Sequence, residues 1–86
     1  DNDADGHGGA IEWYSEKGTV YNSVFTNNHA NNGGAIYVGH GSTEINVTKS
    51  TFSDNYAITV GGAISIEASA VTLNESNFYN NNATKG

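Results

Sequence analysis

The first twelve residues hold the densest chemistry in the chain. Asp1-Asn2-Asp3-Ala4-Asp5-Gly6 sets carboxylates at alternate positions and then a glycine where a chain can turn sharply. Loops that curl around calcium place oxygen ligands at positions 1, 3 and 5, a backbone carbonyl at 7 and a bidentate carboxylate at 12. Asp1, Asp3 and Asp5 fill the first three places, the carbonyl of His7 the fourth and Glu12 the last. Magnesium keeps more of its own waters and takes fewer protein ligands, so the pattern points to Ca2+. The ion's work would be structural, because three crowded carboxylates repel one another and a divalent cation would lock them. The alternative is an acidic, solvated corner: position 8 is Gly8 where such loops carry an apolar residue, no helix flanks the run, and Glu12 falls where a strand would begin.

Other chemistry is sparse. Asn46-Val47-Thr48, Asn74-Glu75-Ser76 and Asn82-Ala83-Thr84 are acceptor sequences for N-linked glycans. Asn46 and Asn82 each lie between residues expected to point inward, and Asn74 follows one, so all three are placed to face solvent; the alternative for each is an unmodified polar residue. His7, His29 and His40 share no metal-ligand spacing. Ser, His and Asp are present without a nucleophile elbow. A polysaccharide lyase would need a basic side chain beside its carboxylates, yet only Lys17, Lys49 and Lys85 are basic. A hydrolase would need two facing carboxylates, and Asp54 and Glu67 stand isolated in sequence. The residues therefore point away from an enzyme.

The elements that must hold these residues are built from an unusual composition. With 86 residues the chain has room for one small domain, and its formal net charge is −6. That charge argues against nucleic acid, which demands a basic footprint. No apolar run is long enough to span a bilayer as a helix. Cysteine, proline and methionine are absent, which excludes disulfides and leads us to expect an internal or processed segment. Leu, Ile, Val and Phe are few for a two-layer core, but the set is largely β-branched, as strands prefer. A thin, continuous core fits better.

A repeat supplies one. Gly-Gly-Ala-Ile occurs at Gly8, Gly33 and Gly61. Phe-x-x-Asn-x-Ala occurs at Phe25, Phe52 and Phe78, each with a serine two residues earlier, at Ser23, Ser50 and Ser76. Alternating runs follow each Gly-Gly: Ile11 and Trp13, Ile36 and Val38, Ile64 and Ile66, with Glu12, Tyr37 and Ser65 between them. Val20, Val47 and Leu73 mark a second run. Period two reads as strand, and fixed recurrence reads as a solenoid. The expectation is an all-β chain, a parallel β-helix (β-solenoid) of about three coils of 25–28 residues with two or three strands each, rungs about 4.8 Å apart. Phe25, Phe52 and Phe78 should then stack inside it, and Asn28, Asn55 and Asn81 should form an internal amide ladder. Trp13 is expected in the core, while Tyr14 and Tyr37 could face sugars.

Three rungs expose both stacking ends. We therefore expect residues 1–86 to be a fragment or repeat unit of a longer stack, with coils continuing along the same chain or by self-association. Joining Gly86 to a following Asp1 gives a polar corner, which permits an 86-residue unit repeated along a fibre.

Gly-Gly-Ala-Ile paired with Phe-x-x-Asn resembles the repeats of the chlamydial polymorphic outer-membrane proteins. The string Phe52-x-x-Asn55-x-Ala57…Gly61-Gly62-Ala63-Ile64 also resembles adhesin-like surface proteins of methanogenic archaea. The resemblance runs from Gly8 to Ala83 and implies a right-handed parallel β-helix at a cell surface, serving adhesion or an extracellular fibre. The first coil departs from it: it lacks a Phe, Asp3 stands where Asn belongs and Asp5 where Ala belongs. A carbohydrate-binding module using outward Tyr and Asn is the second expectation, and a remnant of a polysaccharide lyase or hydrolase the third.

Overall fold

A computed structural model of the chain describes residues 2–14, 17–39, 44–66 and 71–83. Asp1, His40, Glu67, Thr84, Lys85 and Gly86, named above, lie outside the described residues. Twelve short strands follow in order: β1 (Ile11–Trp13), β2 (Lys17–Tyr21), β3 (Val24–Thr26), β4 (His29–Asn32), β5 (Ile36–Val38), β6 (Glu44–Thr48), β7 (Thr51–Ser53), β8 (Tyr56–Val60), β9 (Ile64–Ile66), β10 (Val71–Asn74), β11 (Asn77–Tyr79) and β12 (Asn82–Ala83). Every fourth strand pairs. The result is four three-stranded sheets, β1-β5-β9, β2-β6-β10, β3-β7-β11 and β4-β8-β12, parallel throughout. The chain is a β-solenoid of about three coils.

Each coil has four sides, where the repeat led us to expect two or three. The difference lies in corners made by single residues of left-handed backbone. Between the second and third sides these are Asn22, Lys49 and Glu75, each at φ 51°; between the third and fourth they are Asn27, Asp54 and Asn80, at φ 56–57°. Non-glycine residues take this conformation at a cost of about 1–2 kcal/mol each, and Lys and Glu advertise no turn in a sequence. The fourth corner uses Gly8, Gly33 and Gly61, at φ 64–68°. There glycine is required, since a Cβ on Gly33 would overlap the carbonyl oxygen of Ile36. Its neighbour Gly34 is needed for another reason: a Cβ there would strike the carbonyl oxygen of Gly62 in the next coil.

The core is the column of inward residues. Ile36, Val38, Ile45, Val47 and Phe52 of the middle coil are fully enclosed. Coils either side shield them, so burial falls toward the ends: Phe52 is 0% exposed and Phe78 is 40%. Trp13 packs against this core. Its ring occupies the space a side chain on Gly18 would take, where the other coils place Ile45 and Val71. A large residue and an absent one thus exchange volume within the first coil.

Candidate functional site

The features that repeat through the whole stack are two internal polar ladders and an aromatic one. Phe25 and Phe52 lie 4.7 Å apart between ring centroids and 4° from parallel; Phe52 and Phe78 lie 4.7 Å apart and 1° from parallel. Register forces this, because Phe25 pairs with Phe52 and Phe52 with Phe78.

Beside them runs the asparagine ladder. Asn28 donates its backbone N–H and its carboxamide Nδ2 to Oδ1 of Asn55, both at 3.0 Å. Asn55 donates in the same way to Oδ1 of Asn81, at 3.1 and 2.9 Å. The second amide hydrogen is used as well: Asn55 Nδ2 reaches the Phe25 carbonyl and Asn81 Nδ2 the Phe52 carbonyl. A buried amide without partners would cost several kcal/mol in an apolar core; here the rungs above and below supply them. A serine ladder repeats the logic. The N–H of Ser23 donates to Oγ of Ser50 and that of Ser50 to Oγ of Ser76, both at 3.2 Å, while each Oγ donates to a carbonyl two residues back.

The start of the chain differs from the sequence expectation. Asn2, not Asp3, takes the ladder position: its N–H and Nδ2 donate to Oδ1 of Asn28 at 3.0 and 3.1 Å. Asp3 bridges to His29 as a parallel strand would, and His7 to Asn32. Ala4, not Asp5, then stands in the alanine position, so residues 2–10 form part of a further coil over the fourth side. Asn2-x-Ala4 precedes Gly8-Gly9 by the spacing with which Asn55-x-Ala57 precedes Gly61-Gly62. Phasing the first coil on the shorter spacing of Asn28 to Gly33 would put Asp3 in the ladder; the register shift between Ala30 and Asn32 is where the two spacings are reconciled. With Gly86 joined to Asp1, Asn2 would follow Asn81 by only seven residues (five to Gly86, two more to Asn2), whereas rungs recur every 26 or 27, so in a direct tandem Asn2 would not be the residue that follows Asn81 in the ladder.

The acidic run accordingly follows a laddered path: Ala4 N–H bonds to the His29 carbonyl and Gly8 N–H to that of Asn32. Oδ1 of Asp3 lies 3.2 Å from Nδ1 of His29, and the Asp5 carbonyl accepts from Asn31. Glu12 sits in β1 opposite Tyr37 and accepts from the Tyr14 hydroxyl at 3.3 Å. Among the described residues no three His, Asp or Glu side chains gather as a metal site, and Asp1 lies outside them. Tyr37, expected outward, is buried: His7 stacks on it with centroids 4.1 Å apart, and Tyr14 leans over it at 6.0 Å. The glycan acceptors Asn46, Asn74 and Asn82 are all exposed. The Tyr37 cover was invisible to sequence because it joins residues from separate rungs.

Among known proteins, two segments of the chain, residues 22–39 and 49–67, match the Chlamydia polymorphic membrane protein repeat. Each match runs from a left-handed corner through the Phe-x-x-Asn strands and the Gly-Gly corner into the next coil. No curated protein and no solved structure matches the chain.

Proposed function

We propose that this chain, which carries the Chlamydia polymorphic membrane protein repeat as a β-solenoid, is a structural or adhesive module of an extracellular surface protein or fibre. It works by coil-on-coil stacking and performs no catalysis. The observation that carries this reading is the set of ladders, which run unbroken through the described coils. A stack of this kind gains stability from each added rung. Negative-stain imaging and ultracentrifugation of the native material test it: rods or higher-order stacks are expected, and a compact, stable monomer would overturn it.

Two finer parts of the proposal are separable. Calcium at the acidic edge, held by Asp1, Asp3 and Asp5 with Glu12 further along the chain, predicts that EDTA lowers the unfolding temperature and Ca2+ restores it; no response, with no metal by elemental analysis, removes it. Glycans on Asn46, Asn74 and Asn82 predict added mass, and a bare polypeptide mass removes them. A second reading, a carbohydrate-binding surface, is favoured by the exposed Tyr21, Tyr56 and Tyr79. Saturable binding on a glycan array would support it; Tyr37 is covered and takes no part.

A further inference from the structure

The three glycan acceptors do not have equivalent surroundings. Asn46 pairs across the rungs with Thr19 and Thr72, and Asn74 pairs with Thr48, so both stand beside short side chains on the second side. Asn82 lies on the fourth side and pairs with Tyr56. Backbone bonding fixes that register: the Asn82 N–H donates to the Asn55 carbonyl at 2.9 Å and the Tyr56 N–H to the Asn28 carbonyl at 2.8 Å. The two side chains therefore leave the same outer face one rung, about 4.8 Å, apart. Of the three acceptors, Asn82 alone pairs with an aromatic ring among the described residues.

Tyr56 belongs to the middle coil and has a rung on either side, yet it is 41% exposed. Its ring leans on that of His29, with centroids 4.9 Å apart and 44° from parallel. His29 is held in turn by Asp3 at 3.2 Å. Because β8 lies between β4 and β12, this brace sits on the side of Tyr56 away from Asn82. Ile58, two residues on in β8 and 49% exposed, widens the apolar surface.

A pyranose carries its hydroxyls around the rim and C–H groups on its faces. A C–H face packs on the electron-rich face of an aromatic ring. A sugar already tethered one rung away reaches that ring without the cost of capturing a free molecule. Resting on the glycan reading above, we infer that the glycan of Asn82 is docked: its first pyranose turns down the fourth side and lays a C–H face on Tyr56. Glycans on Asn46 and Asn74 meet threonines in register and gain no such contact. Tyr56 is then filled by the chain's own sugar, which withdraws it from the carbohydrate-binding surface of the second reading.

The test uses the 86-residue chain made by chemical synthesis, either bare or with a single N-acetylglucosamine on Asn82 or on Asn46. With the sugar on Asn82, urea unfolding should give an unfolding constant about two- to tenfold lower, the range of one ring-to-ring contact. The ring protons of that sugar should also move upfield in the nuclear magnetic resonance spectrum. Tyr56→Phe should keep both effects and Tyr56→Ala should lose both. If Tyr56→Ala unfolds, Tyr56→Thr keeps a strand-forming residue and gives the same readout. A sugar on Asn46 should produce neither effect. An equal gain in the Tyr56→Ala chain, no gain from the sugar on Asn82, or the same gain from the sugar on Asn46 would overturn the inference. The mass of the native material judges the glycan reading separately. A bare native chain removes both, whereas an occupied Asn82 with no dependence on Tyr56 removes this inference alone.

Discussion

Asn55→Leu is the sharpest test of the ladder. Leucine branches at Cγ as asparagine does but is larger, so the change removes hydrogen bonding and adds some pressure on the packing around a buried site. The wild-type side chain accepts from Asn28 N–H and Nδ2 and donates to Asn81 Oδ1 and the Phe25 carbonyl. With leucine, two donors of the buried Asn28 lose the acceptor they have on this residue. Each such donor costs about 1–3 kcal/mol, offset in part by the added apolar side chain, for a net loss of about 2–4 kcal/mol. The whole chain's stability is on the order of 4–13 kcal/mol at the usual per-residue scale, and the loss corresponds to roughly 10–30 °C in Tm for a domain of this size. The matched control is Asn2→Leu. Its side chain makes one bond, to an Asn28 oxygen that keeps the Asn2 N–H, so the cost should be below about 1 kcal/mol. Urea unfolding followed by far-ultraviolet circular dichroism, with equal m-values required for the comparison, gives both numbers. Equal costs at the two positions, or no cost at Asn55, would refute the claim that the interior amides act as a chain of mutually satisfying rungs.

Three more expectations follow from the geometry. Gly34→Ala should cost about 3 kcal/mol by the same assay, because its Cβ meets the Gly62 carbonyl of the next coil and neither backbone can withdraw without breaking the stack. Trp13→Val and Gly18→Ile should each destabilise by about 2–4 kcal/mol, one by a cavity and the other by overlap with the indole, while the double variant returns to within about 1 kcal/mol of the parent in a double-mutant cycle. Lys49→Gly should stabilise by about 0.5–1 kcal/mol, since relief of a left-handed lysine outweighs glycine's extra entropy in the unfolded chain; a lower urea midpoint would contradict that.

Much of this fold could be read before any coordinates. Gly-Gly-Ala-Ile and Ser-x-Phe-x-x-Asn-x-Ala mark positions where a side chain is either forbidden or obliged to meet its own kind, so their recurrence sets the period and the inward columns. The corners at Lys49 and Glu75 were not legible, because a single left-handed residue leaves no compositional mark when it is not glycine. The phase of the first coil is hidden in the sequence for a related reason. The segment between Asn and Gly-Gly varies by one residue, and a period-two strand that slips by one exchanges its inner and outer faces. That slip turns Asp3 from a supposed core substitute into an outward partner of His29. At the acidic edge, charge and spacing suggested a loop around an ion, but ladder bonding of the backbone also satisfies that run, and local sequence does not decide between them.

The path of the backbone also fixes how such a module meets mechanical load. Its strands run around the axis, so pulling the two termini apart along the axis stretches the rung-to-rung hydrogen bonds end-on rather than sliding strands past one another. Coils should then peel singly from the ends. Each rung of 26 or 27 residues would release a length of about 90 Å at the reach of an extended chain, making the stack a yielding tether that lengthens in steps.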